Sequence, residues 1–210
     1  MREGLFVTFE GGEGAGKTTL IHRLKEKLIS EGFETLLTRE PGGSALGEAI
    51  RHLILFRDPN IAMTPLAELQ LFLAARAQHV EELIRPSLEE KKIVLCDRFN
   101  DTSVAYQGIA RELGQSLVEN LCSLVCGKVQ PSLTFYLDID PEEGMRRVHQ
   151  TLRVLDSMEN EGQTFHQKVR EGFLKIAQDN PARVKVIDAS LPKDVVFEKV
   201  WQVISQKLQS

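Results

Sequence analysis

The stretch "FEGGEGAGKTTL", residues 9–20, constrains this chain more than any other. Gly11, Gly16, Lys17 and Thr18 satisfy G-x-x-x-x-G-K-T, between an apolar run "LFVTFE" (5–10) and an amphipathic run "TTLIHRLKEKLISEG" (18–32). A strand that turns through glycines into a helix curls successive backbone N–H groups around an anion. The helix N-terminus adds its positive end. In such a loop Lys17 bridges the β- and γ-phosphates of a nucleoside triphosphate, and the Thr18 hydroxyl ligates Mg²⁺. Gly12, Glu13, Gly14, Ala15 and Thr19 complete the donor-nucleotide loop. The motif specifies a nucleotide. It leaves open whether the terminal phosphate goes to water, to a protein or to a second small molecule.

Further β-rich runs, "TLLTRE" (35–40), "KIVLCD" (92–97), "LTFYLDID" (133–140) and "VKVIDA" (184–189), alternate with helical patterns. The longest helix is predicted over 65–86. This order predicts an α/β fold: a parallel sheet covered by helices on both faces, with ligands outside the carboxyl ends of the strands. No repeat, low-complexity tract or linker divides residues 1–210, so one domain is expected. A net charge of −4 argues against a nucleic-acid partner. Cys96, Cys122 and Cys126 lack metal-site spacing and read as buried thiols in a reducing compartment. "MREGLFVTF" has no apolar run long enough for a signal peptide, and no stretch approaches a membrane span. The expectation is a cytoplasmic protein without a membrane partner. No N-K-x-D stands at a strand end, which argues against a guanine-specific switch.

Three stretches point to a second anionic ligand. "VLCDRF" delivers Asp97 and Arg98 to a strand's carboxyl end: a carboxylate for a metal or acceptor group, and a planar fork for a phosphate. An Asp–Arg ion pair is the plainer alternative. In the 65–86 helix, Leu66, Leu69, Leu73, Val80 and Leu83 follow core-facing spacing, and Arg76 stands among them. A buried arginine requires an acceptor. With Phe72 four residues earlier, it makes a seat for a planar heterocycle, or else a core Phe with an Arg snorkelling to the helix edge. "DTSVAYQG" (101–108) adds Thr102, Ser103, Tyr106 and Gln107, which suit either a base edge or a polar helix start. After the fourth strand, "EGMRRVHQTLRVLDSMENEG" (143–162) gathers Arg146, Arg147 and Arg153. It suits a lid that brings positive charge and excludes water, or a solvated helical face.

"EGGEGAGKTT", "TREPGGSALGEAIR", "LFLAAR" and "DRFNDTSVAYQG", in this order and at these separations, resemble the thymidylate kinases, and their bacterial form in particular. The resemblance covers nearly the whole chain. It implies the P-loop nucleoside-monophosphate kinase fold with a five-stranded parallel sheet and a small lid (about 146–160), a homodimer, and ATP + dTMP → ADP + dTDP with Mg²⁺. By the same resemblance Phe72 stacks on thymine, Arg76 bonds its carbonyl edge, and Ser103 and Gln107 face the base with Thr102 nearby. Tyr106 lies under the deoxyribose, Glu13 approaches the 3′-hydroxyl, and Arg51 lines the acceptor pocket. Lys17, Asp97 and Arg98 are the implied catalytic side chains, with Thr18 and Asp97 at the metal. A cis Glu40–Pro41 bond is implied as well. The family's lid pattern is Asp-Arg-(Ile/Leu)-Glu, whereas this chain reads Asp156, Ser157, Met158, Glu159. Arg153 is then the substitute for the missing lid arginine, and Arg147 the second choice.

Overall fold

The structure, a computed structural model, describes residues 4–58, 60–150 and 156–209. Strands β1 (Leu5–Glu10), β2 (Thr35–Arg39), β3 (Ile93–Asp97), β4 (Leu133–Asp138) and β5 (Val184–Asp188) form one all-parallel sheet in the order β2-β3-β1-β4-β5. Every residue of β1 is buried, as a strand covered on both faces requires. Leu5, Val7 and Phe9 pack with Leu20, Leu24 and Leu28 of α1 (Lys17–Ser30) and with Val200 and Ile204 of α9 (Lys193–Gln209). Phe6 turns to the opposite face, against Val94, Cys96 and Phe99. Thr8 and Glu10 share that second face by the two-residue period and are buried polar groups. Thr8 pairs its hydroxyl with Thr134 at 2.7 Å.

The second face is covered by α3 (Pro65–His79), α6 (Gln115–Cys126), α8 (Gln163–Asp179) and a π turn, Val104–Ala110, that continues the short α5 (Asn100–Ser103). The helix expected over 65–86 is not continuous. A π turn over Val80–Ile84 joins α3 to α4 (Arg85–Glu89). Pro86 offers no N–H and crowds the carbonyl four residues back, so the chain widens before it and restarts with Pro86 in the first turn of α4. The wider turn rotates the buried line from Leu83 to Ile84. Leu66, expected in the core, is exposed, and the buried stripe begins at Leu69. β4 ends at Asp138 rather than at 140, because Asp140 Oδ1 accepts the Glu142 N–H at 3.0 Å and Pro141 opens α7 (Pro141–His149). All three cysteines are free and buried, as expected.

This topology sets β1 between β3 and β4, with Phe9 in register with Asp97 and Asp97 in register with Arg39. The carboxyl ends of three strands therefore meet at one place. α2 (Ala45–Leu55), capped by Ser44 on the Gly47 N–H at 3.0 Å, borders it on the β2 side.

Candidate active site

From the end of β1 the chain curls into α1. Gly14 lies at φ 69°, and a Cβ there would sit 2.1 Å from the Gly144 carbonyl oxygen of α7, so a side chain has no room. The first turn of α1 has no acidic residue, which leaves its N–H groups and dipole to an anion. Lys17 Nζ donates to the Gly11 and Gly12 carbonyl oxygens at 3.0 and 2.9 Å. Burial, together with the nearby Arg98 charge, pushes its ammonium below the ordinary lysine value. Thr18 Oγ1 donates to Asp97 Oδ2 at 3.3 Å, while Asp97 Oδ1 is buried with no hydrogen-bond partner. A carboxylate oxygen without a partner beside a hydroxyl is the kind of donor set a hard cation takes.

Arg98 has a left-handed backbone, φ 68°, which costs a non-glycine residue about 1–3 kcal/mol and persists only where neighbours hold it. Its own N–H goes to Phe9 O at 2.9 Å and the next N–H, of Phe99, to Glu10 Oε1 at 2.8 Å, while the Thr102 hydroxyl donates to the other Glu10 oxygen. So held, the guanidinium ion-pairs with Glu13, and lies 3.5 Å from Thr102 Oγ1, 3.4 Å from the Tyr106 hydroxyl and 5.4 Å from the centre of the Tyr106 ring. Burial pushes the Tyr106 phenol up to about 12.

Burial, and then the Asp101 charge, raises Glu10 to about 8 from an ordinary 4.5. Between those values the folded chain keeps a proton that the unfolded chain has released, so this group's contribution to stability declines as pH rises through the window. In Glu10→Gln that decline is expected to disappear. Denaturation midpoints measured from pH 5 to 9 should fall less steeply than in the parent, and identical slopes would rule Glu10 out as the titrating group.

At the acceptor end Phe72, Arg51, Thr102 and Tyr106 line the same cleft as the loop, a cavity of about 980 Å³. Arg51 Nη1 donates to Pro41 O at 3.0 Å, and the Glu40–Pro41 bond is cis, as expected. Arg76, Ser103 and Gln107 are not among the residues that line the cleft; all three are buried next to it. Arg76 is 1 % exposed and finds its acceptor in Glu40, Nε to Oε2 at 2.7 Å. Its Nη2 donates to Phe99 O at 3.1 Å and Ser103 Oγ at 3.0 Å, and its Nη1 to Cys122 Sγ at 3.3 Å. These bonds use four of the five guanidinium N–H groups. Gln107 Nε2 donates to Glu68 at 2.9 Å, and its Oε1 is buried without a partner.

Asp156, Met158 and Glu159 close the cleft from the lid side. Asp156 Oδ1 accepts the N–H groups of Met158 and Glu159 at 2.9 and 3.0 Å, and Glu159 Oε2 accepts that of Asp156 at 2.9 Å. Ser157, where the lid arginine was expected, sends its N–H and its hydroxyl to Leu55 O, each at 3.0 Å, and so ties this end of the lid to α2. Arg153 lies outside the described residues. Arg147 donates to Ala189 O at 3.1 Å and to Glu143 at 2.8 Å, beside residues 189–193, which line the far end of the cleft.

A family model described as thymidylate kinase matches residues 9–200. The chain belongs to the thymidylate kinase family. It is 46 % identical to the thymidylate kinase of Protochlamydia amoebophila, over 98 % of this chain and 94 % of that protein. It is 50 % identical to that of Chlamydia trachomatis serovar D, over 93 % and 96 %. Among solved structures it resembles a crystal structure of thymidylate kinase from Ehrlichia chaffeensis, with a TM-score of 0.76, 38 % identity, and coverage of 96 % of this chain and 99 % of that one. The fold is thus the P-loop nucleoside-monophosphate kinase fold that the motifs implied.

Read as a thymidylate kinase, the chain has its loop, Asp97, Arg98, Phe72, Arg51 and Tyr106 together in one cleft, in keeping with the resemblance that the motifs carried. Two groups were missed. Glu10 follows an apolar strand and reads as its end; only the alternation of β1, which sets it on Phe6's side, hinted that it is covered. Glu40 was signalled only by the need of a buried Arg76 for a carboxylate, and several acidic residues could have supplied one.

Proposed function

We propose that the protein transfers the terminal phosphoryl group of ATP to dTMP, giving ADP and dTDP, a step of dTTP synthesis. One observation carries the reading: a single cleft holds both the phosphate loop and the Phe72–Tyr106–Arg51 pocket, with Arg98 touching Glu13 of the one and Tyr106 of the other. The loop N–H groups of residues 11–19 and Lys17 hold the ATP phosphates, and Arg98 replaces its Glu13 partner with the dTMP phosphate. An oxygen of that phosphate bonds to the γ-phosphorus as the bond to the β–γ bridging oxygen breaks and ADP leaves. Lys17 and Arg98 offset the charge that shifts between the two phosphates. Thr18 and the unpartnered oxygen of Asp97 fit Mg²⁺, which when bound neutralises phosphate charge.

On the acceptor side Phe72 stacks on thymine and Tyr106 lies under the deoxyribose. Glu13, freed from Arg98, reaches the 3′-hydroxyl, and Arg51 and Thr102 border the nucleotide. Arg76 turns its remaining N–H to the base, alongside Ser103. The partnerless Oε1 of Gln107 supports a donor on the base edge. Residues 189–193 and Arg147 border the adenine. Arg153 supplies the lid charge. As paired variants, Arg147→Ala is expected to raise KM for ATP about tenfold with little change in kcat, and Arg153→Ala to lower kcat at least about tenfold. The opposite pattern would exchange their roles.

Leu46 and Leu53, seven residues apart on α2, and Leu66 on α3 are large exposed apolar side chains, which supports a homodimer. No helix among the described residues is long and apolar enough to cross a membrane. The cytoplasmic location belongs to the proposed role in dTTP synthesis.

The test is ADP release with ATP and Mg²⁺, supplied in turn with dTMP, dUMP, ribosyl-TMP, dCMP or no acceptor. Turnover should follow dTMP, with dUMP weaker by about 10- to 200-fold in kcat/KM, the range that one methyl in an apolar pocket provides. ADP release independent of acceptor would make the protein a nucleotidase or a switch instead.

A further inference from the structure

We infer that His79 is a positioning residue for recognition of the acceptor base, acting through Glu40 on Arg76; the inference rests on the dTMP reading of the site. His79 sits on α3 one turn beyond Arg76, is fully buried, and is not among the residues that line the cleft. Its Nδ1 is 3.0 Å from Glu40 Oε1, and its Nε2 is 2.7 Å from Thr38 Oγ1. An ionised carboxylate only accepts, so the Nδ1–H donates to Glu40 Oε1, and Nε2 pairs with the Thr38 hydroxyl. Glu40 is thereby divided, with one oxygen on His79 and the other on Arg76 Nε at 2.7 Å.

The ring also carries the turn that follows β2. A Cβ on Gly43 would lie 2.4 Å from His79 Cδ2 and Nε2, so the backbone rests directly on the imidazole. That turn supplies the Pro41 carbonyl that holds Arg51. One side chain out of reach of substrate thus braces both arginines of the acceptor end, Arg76 through Glu40 and Arg51 through the turn. Without the Nδ1 donor, Oε1 of Glu40 becomes a buried oxygen lacking a partner, and the carboxylate must turn away from Arg76 to find one. Arg76 would then present its remaining N–H at a different angle. The donor end of the cleft shares none of these bonds.

The test compares His79→Gln, which keeps a polar atom for Thr38 and loses the donor to Glu40, with His79→Asn, whose amide nitrogen falls near Nδ1. Steady-state kinetics are read with dTMP, dCMP and ATP varied in turn. Arg76 donates, and thymine presents a carbonyl oxygen where cytosine presents an amino group, so the dTMP:dCMP ratio of kcat/KM reports its alignment. H79Q is expected to raise KM for dTMP about tenfold and to lower that ratio by a similar factor, a misplacement effect, with KM for ATP within about twofold. H79N should recover most of the loss. A folded H79Q with an unchanged ratio, or with both KM values raised alike, overturns the inference. If H79Q does not fold, Thr38→Val removes only the hydroxyl on Nε2. It should shift the ratio in the same direction, and no shift, or a second failure to fold, makes the network purely structural. A parent enzyme without dTMP-dependent turnover would instead sink the dTMP reading itself.

Discussion

Lys17→Met should lower kcat about a thousandfold while leaving the fold intact. Rate losses of that size follow removal of a charge that acts on the transferring group in the transition state. The four-methylene stem of lysine is nearly matched in length by methionine, so packing along α1 changes little. What disappears is an ammonium that bridges the Gly11 and Gly12 carbonyls at 3.0 and 2.9 Å and that, on the proposed reading, turns to the β- and γ-phosphates. Burial has already lowered its pKa, so it gains from an anion that arrives beside it. Loss of its two carbonyl contacts costs about 1–3 kcal/mol each, within what a folded domain tolerates. The measurement is single-turnover phosphoryl transfer at saturating ATP and dTMP, with a melting curve beside it. A kcat within about tenfold of the parent would remove Lys17 from the transferring phosphoryl group.

Asp97→Asn is expected to lower kcat by about 10²-fold or more with a Tm no lower than that of the parent. The two effects share one cause. Asp97 Oδ1 is buried without a hydrogen-bond partner, and an acceptor left unpaired out of reach of water is unfavourable in the ligand-free chain. A neutral amide relieves that cost but is a poor ligand for Mg²⁺ and leaves Thr18 without a charged acceptor. Stability held for function in this way is a familiar trade. Raising Mg²⁺ should partly restore the variant, because weakened binding yields to concentration. A drop in Tm with full activity would show Asp97 to be a structural partner of Thr18 and nothing more.

The phosphate loop was legible because everything it needs is local. A strand, a glycine turn and a helix start are contiguous over residues 5–30, and their chemistry follows from backbone N–H groups alone. Asp97 and Arg98 were legible for a related reason: in a parallel sheet the carboxyl end of an apolar strand is where a ligand sits. Phe72 and Arg76 were legible as a pair on one helix, but not in their separate fates. Phe72 faces the cleft, and Arg76 is drawn behind it by Glu40, 36 residues earlier in the chain. The lid was the least legible part. Serine at 157 looked like a missing arginine, and the structure gives it a partner of its own, Leu55 O, 102 residues away.

The order of strands and helices, the anion loop and the residue types at each strand end were therefore determined by the sequence itself. Each depends on periodicity or on neighbours a few residues apart, and such interactions do not wait for the rest of the chain. Tertiary structure alone decided which carboxylate meets Arg76, why Glu10 keeps its proton near neutral pH, where His79 places its two nitrogens, and that the helix over 65–86 widens at Val80–Ile84. A charge requires a partner without specifying which one. Only the packed fold, by excluding water and bringing distant segments within 3 Å, makes that choice.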